Sequence, residues 1–79
     1  MERNEIETRV KKVVARVLGV EEGKITAASR FVEDLGAESV QSLELVASFE
    51  EEFNIEMEEN AALEVKTVGN AVDFIAQGL

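Results

Sequence analysis

The sequence predicts an all-α fold: a small bundle of three main helices and one short helix, with a long ordered loop between the first two. Three observations carry this. Apolar residues recur at helical spacing in three separate segments. The 79 residues contain no Pro and only four Phe, which suits helices better than strands. There is no Cys to supply disulfides or thiolate metal sites, so a chain this short needs efficient local packing, and helices packing on one another provide it. With 46% hydrophobic residues, the length suits one domain near the lower limit for a single core, over residues 1–79.

The first helix is predicted from about Asn4 to Leu18. Ile6, Val10, Val13 and Val17 fall at i, i+4, i+7 and i+11, with Val14 and Leu18 flanking the stripe. Asn4 suits the N-cap, and Glu7 three residues on completes a capping-box pattern. Glu5–Arg9 and Glu7–Lys11 are i, i+4 pairs in the favourable order. Gly19 is placed to end the helix in a left-handed conformation.

A connection from Val20 to Glu38 follows, without sustained periodicity. Loops of this length in compact domains are usually ordered and functional. Ile25, Phe31 and Leu35 are its spaced apolar residues and are expected to pin it to the core, before a turn at Leu35-Gly36-Ala37.

The second helix spans about Ser39 to Phe53. Leu45, Phe49 and Phe53 form its core face, with Val46 beside them. Val40, Glu44, Ala47 and Glu51 make a separate stripe on the far side. Asn54 to Glu59 reads as a connection with Ile55 and Met57 turned inward, and a short helix is expected around Asn60 to Glu64. Thr67 then caps a last helix whose Val68, Val72, Ile75 and Leu79 share one face. Gly69 in its first turn weakens helix propensity there.

Charge divides the chain. Residues 1–30 hold seven basic and five acidic side chains, a net +2; residues 31–79 hold one basic residue, Lys66, and twelve acidic ones, a net −11. A total of −9 disfavours binding to nucleic acid or an anionic membrane. With His and Cys absent, neither a Ser-His-Asp relay nor an ordinary zinc site can be built, and no D-x-[DN]-x-[DN]-G loop invites a metal. The chain is expected not to be an enzyme. No apolar stretch has signal-peptide or membrane-span length, so stable membrane insertion is not expected; the expected setting is the cytoplasm and the expected state a monomer.

Glu44, Glu50, Glu51 and Glu52 have no Lys or Arg three or four residues away, so the cluster does not serve helix stability. An acidic face of this kind is ordinarily a solvating one. Here it flanks the small apolar residues Val40 and Ala47 and surrounds the hydroxyl of Ser39, a combination suited to docking basic partners. Ser39 itself opens the helix, where serine most often caps by accepting a backbone N–H. A phosphate esterified there would be favoured by the helix N-terminus by up to roughly 1 kcal/mol.

The run Phe31-Val32-Glu33-Asp34-Leu35-Gly36-Ala37-Glu38-Ser39-Val40, followed by Leu43-Glu44-Leu45-Val46 and Phe49-Glu50-Glu51-Glu52-Phe53, resembles the acyl carrier proteins. The resemblance extends to Thr67-Val68 and Ala71-Val72-Asp73-Phe74-Ile75. It implies that Ser39 accepts 4′-phosphopantetheine from coenzyme A through a phosphopantetheinyl transferase, and that the arm's thiol carries acyl groups as thioesters in fatty-acid, lipid or specialised synthesis. It further implies that acyl-transferring or acyl-modifying enzymes with basic docking patches recognise Glu44, Ala47, Glu50 and Glu51, with Glu38 and Val40 near the arm. Leu45 and Val46 would shelter part of an acyl chain. The chain departs from the family pattern in having Glu38-Ser39-Val40 for Asp-Ser-Leu, Gln41 for a common acid, a small Ala47, Glu58 for a frequent Pro, and a less acidic short helix at Asn60 and Leu63. These departures read as dedication to a particular pathway. Two alternatives stand beside the carrier: an unmodified acidic module that only binds proteins, and a discrete aminoacyl or polyketide carrier.

Overall fold

The computed structural model describes Met1–Leu79 and contains four α-helices: α1 (Arg3–Leu18), α2 (Ser39–Phe53), α3 (Glu59–Leu63) and α4 (Val68–Gly78), with a 3₁₀ turn at Glu22–Lys24. The helical class and the three-plus-one arrangement are as the periodicity predicts. The first helix packs against both α2 and α4, and α3 packs against α2. One core joins them. Ile6, Val10, Val13 and Val14 meet Leu45, Phe49 and Phe53 from α2 and Val68, Ala71, Val72 and Ile75 from α4. The loop contributes Ile25, Phe31 and Ala37 to the same cluster, while Leu35 packs against it half-buried.

Several ends differ from the sequence reading. The first helix begins at Arg3 with Glu2 in the N-cap position, so Asn4 lies inside the helix and does not cap it. The Asn4 carbonyl instead accepts a hydrogen bond from the Thr8 hydroxyl at 2.9 Å. Gly19 closes the helix as expected, at φ 69° with its N–H on the Ala15 carbonyl. The short helix starts one residue early because Glu58 caps it, its carboxylate accepting from the Ala61 N–H at 2.7 Å. Glu58 thus has a local reason to stand at that position. Thr67 caps α4 through its hydroxyl, which accepts from Asn70 N–H at 3.1 Å. Leu79 does not share the α4 core face; it follows the last helical residue and stays exposed.

The acids of α2 are also more structural than their spacing suggests. Glu7 and Lys11 pair within α1 at 3.3 Å, but Arg9 turns away from Glu5 and reaches α2. Its guanidinium donates to the Glu52 carboxylate and to the Glu52 carbonyl, both at 2.7 Å, and lies 4.9 Å from the centre of the Phe53 ring. The carbonyls in a last helical turn lack intrahelical partners, so Arg9 ends α2 and ties it to α1 with one side chain. Glu50 accepts the Met57 N–H at 3.0 Å and holds the following connection. Two of the four clustered glutamates therefore do serve the fold.

The long loop is fastened to the start of α4 by backbone. Phe31 N–H donates to the Lys66 carbonyl at 3.0 Å, Val68 N–H to the Ser29 carbonyl at 3.0 Å, and Gly69 N–H to the Ala27 carbonyl at 2.8 Å. Arg30 and Thr67 form an isolated antiparallel bridge at the centre of this contact. Here Gly69 packs tightly against the loop: a Cβ would stand 3.0 Å from the Ala27 carbonyl oxygen, which would have to give way. Gly69→Ala gains helix propensity of about 1 kcal/mol, yet forcing the loop away costs about 1–3 kcal/mol. Denaturant unfolding is expected to show net destabilisation of about 1 kcal/mol; a stabilised variant would mean that the loop yields freely.

Candidate functional site

The turn before α2 is built to present Ser39 rigidly. Asp34 accepts from the Arg30 backbone N–H at 2.8 Å and from its Nε and Nη2 at 3.1 Å each. Gly36 takes φ 73°, and the buried Ala37 donates its N–H to the Phe31 carbonyl at 2.8 Å. Phe31 is itself in the core, so the chain leaves the turn from an anchored point. The Arg30 guanidinium, chiefly by hydrogen bonding to it, holds the Asp34 carboxyl below its ordinary value, and Asp34 in turn raises Arg30.

Ser39 is the first residue of α2 and is exposed. It is not the cap: Glu38 occupies that position, which corrects the expectation for Ser39. The Gln41 side-chain oxygen accepts the Glu38 N–H at 2.9 Å, and the Ser42 hydroxyl donates to the Glu38 carbonyl at 3.4 Å. The neighbours make the bonds of this turn and leave the Ser39 hydroxyl uncommitted. The N–H groups of Ser39 and Val40 have no backbone acceptor, as expected for a helix start, so the hydroxyl sits at an end that favours an anion.

From Ser39 an open groove runs between α2 and α3, past Val40, Leu43, Glu59 and Leu63 to Lys66. Beyond it lies a mostly apolar cavity of about 60 Å³ whose lining includes Phe31, Leu45, Val46, Phe49, Met57 and Ala62. Val32, Ser42, Leu63 and Lys66 line both spaces, so the two adjoin. Val32, Val40 and Leu43 are 55%, 62% and 47% exposed, an unusual amount of free apolar surface around one hydroxyl. Leu45 and Val46 line the cavity as the sequence suggests. The presence of Leu43 and Lys66 in this groove is not legible in the sequence, since no local pattern places Lys66 in one groove with Ser39.

Glu44, Ala47 and Glu51 lie exposed on the same face of α2 as Val40. Glu50 is half-buried beside them, its carboxylate engaged with Met57, and Glu38 stands exposed next to Ser39. The cations of the first 30 residues are largely occupied: Arg3 pairs with Asp73, Arg9 with Glu52, Lys11 with Glu7, Lys12 with Glu22, Lys24 with Glu21, and Arg30 with Glu33 and Asp34. None of them neutralises Glu44 or Glu51. Glu44 and Glu51 make no ion pair, although Glu51 shares a polar cleft with Arg9 and Arg16. No helix is long and apolar enough to cross a membrane.

Residues 8–75 match the family described as "Phosphopantetheine attachment site". Among solved structures, the chain is similar to a protein from Mycobacterium tuberculosis provisionally described as an acyl carrier protein. The two share 32% identity and superpose with a TM-score of 0.84, over 91% of this chain and 96% of the other.

The Arg30–Asp34 contact sets a pH dependence. Because the Asp34 pKa is lowered on folding, its contribution to stability is complete above the unfolded carboxylate value and is lost as pH falls through the lower folded one. Carboxyl NMR titration is expected to find Asp34 below the usual aspartate range. A midpoint at or above that range would show that the contact does not persist in solution.

Proposed function

The chain belongs to the phosphopantetheine-attachment family, whose members carry covalently bound 4′-phosphopantetheine, and we propose that it is an acyl carrier in which Ser39 is the attachment point. The observation that carries the proposal is an exposed, uncommitted hydroxyl at the start of α2, opening on a groove that adjoins an apolar cavity. The group supplies a terminal thiol, the reactive sulfur that this Cys-free chain lacks. The protein's own residues anchor it through Ser39, guide it along Val40, Leu43 and Leu63, and shield a short apolar segment between α2 and α3. Carriers of this family are in general not catalysts, and no enzymatic activity is proposed here. The proposal extends to a monomeric, cytoplasmic carrier domain formed by residues 1–79.

The size of the cavity bears on the cargo. At about 60 Å³ it is less than half of an engineered cavity of roughly 150 Å³ that admits benzene. A long acyl chain exceeds this volume as it stands. Together with Glu38-Ser39-Val40 in place of the usual Asp-Ser-Leu, this supports a carrier dedicated to one branch of fatty-acid, lipid or specialised acyl synthesis. An aminoacyl or polyketide cargo belongs to the same class.

Intact mass before and after incubation with coenzyme A, Mg²⁺ and a broad-specificity phosphopantetheinyl transferase tests the attachment. One phosphopantetheine is expected on the wild type and none on Ser39→Ala, which should melt as the wild type does because Glu38 caps the helix. Failure of the folded wild type to be modified, or modification of the variant, would contradict the assignment and favour a module that only binds proteins.

The proposed partners are the transferase and acyl-handling enzymes with basic docking patches, which meet Val40, Glu44, Ala47 and Glu51, with Glu38 and Glu50 at the margin. Glu44→Lys and Glu51→Lys are expected to lower association rates with the transferase by about 3- to 10-fold at low salt while the fold is kept. Unchanged rates would show that docking uses another face.

A further inference from the structure

Eight cations are present in the chain, and two of them, Arg16 and Lys66, have no carboxylate within ion-pair distance. Arg16 borders a polar cleft with Arg9, Ser48, Glu51 and Glu52, where acids already surround it. The surroundings of Lys66 are different. It lines both the groove that starts at Ser39 and the mouth of the apolar cavity, and it is the only cation lining either space. Its ammonium has one long contact, to the Leu63 carbonyl at 3.4 Å. Its backbone is held by the Phe31 N–H on its carbonyl at 3.0 Å, so the stem of the side chain starts from a fixed place.

We infer that Lys66 is the counter-charge for the phosphodiester that the carrier reading attaches to Ser39, and that it draws the arm into the groove. The inference rests on that reading. A phosphodiester keeps one negative charge at neutral pH, and the remainder of a pantetheine arm is uncharged. On Ser39 that charge adjoins Glu38 and shares the groove with Glu59, and both repel it. The free N–H groups of the helix start offset part of this repulsion, but within the first turn only. Lys66 supplies the opposite charge from the other wall, beside Val32 and Leu63. An arm drawn towards Lys66 lies beside the cavity, since Lys66 borders both; an arm free of it extends into solvent. Lys66 is thus a positioning residue, taking no part in forming or breaking bonds.

The test uses apo and modified protein, with the addition on Ser39 verified by mass, for wild type, Lys66→Gln, Lys66→Glu and Arg16→Gln. For each, the melting temperature of the modified form is compared with that of the apo form, and the ³¹P resonance of the diester is recorded at low and high salt. Lys66→Glu is expected to lower the modified-minus-apo difference by about 2–4 °C at low salt, with the effect lost at high salt. The ³¹P resonance should shift in both Lys66 variants and not in Arg16→Gln. In wild type alone, that resonance should move with salt, a reading independent of any substitution. Equal melting differences with an unmoved ³¹P resonance would overturn the role of Lys66 while leaving attachment intact. Absence of any mass addition on the wild type would overturn both.

Discussion

The arrangement depends on the fastening of the long loop to the start of α4. Three backbone hydrogen bonds, from Phe31, Val68 and Gly69, join an irregular stretch of the long loop to the start of α4, far away in sequence. Buried backbone groups need partners, and a loop that enters the core through Ile25, Phe31 and Ala37 must satisfy its amides somewhere. It does so on the Lys66–Gly69 segment. This fixes the turn at Asp34 and Gly36, and therefore the point at which Ser39 leaves the loop and α2 begins. The same contact fixes Lys66 on the opposite wall of the groove, so hydroxyl and ammonium are positioned by one device.

The charge distribution has a comparable logic. Six of the seven basic residues of the first 30 positions, all but Arg16, are engaged in local or interhelical pairs, most of them exposed and each worth little to stability. Arg9 is the exception, because it pairs with Glu52, caps α2 and covers Phe53 at once. What remains unpaired is the acidic face of α2, and an unpaired acidic face beside exposed Val40 and Leu43 is poorly explained by folding alone. A carrier that meets several enzymes in turn benefits from fast, steered encounter and from modest contact area that permits release. Concentrating unpaired charge and apolar surface around one hydroxyl provides both.

Much of this was legible in the sequence, for identifiable reasons. The core faces of α1, α2 and α4 follow from periodicity, since burial on one side of a helix imposes it. Ile25 and Phe31 stood out because large apolar residues are conspicuous in a polar loop; Ala37 did not, being small. The cap of α1 was misplaced because Asn4 with Glu7 imitates a capping box, while the helix in fact starts earlier without a side-chain cap. Ser39 suggests a cap simply because serine opens the helix, and only the geometry shows Glu38 in that position. The pairing of Arg9 with Glu52 joins residues 43 positions apart, and the shared groove of Ser39 and Lys66 joins the start of α2 to the loop before α4. No local pattern encodes either. The family resemblance located the serine; the structure adds what surrounds it.

Amide hydrogen exchange of Phe31, Val68 and Gly69 tests the central claim, that a fastened loop holds Ser39 in place. The account expects these three amides to exchange within about tenfold of helix-core amides such as those of Val13 and Leu45, since all should open in one cooperative unit. Exchange of the three at nearly unprotected rates, with the helices still protected, would contradict it: the loop would then open independently, and the position of Ser39 would owe nothing to the start of α4.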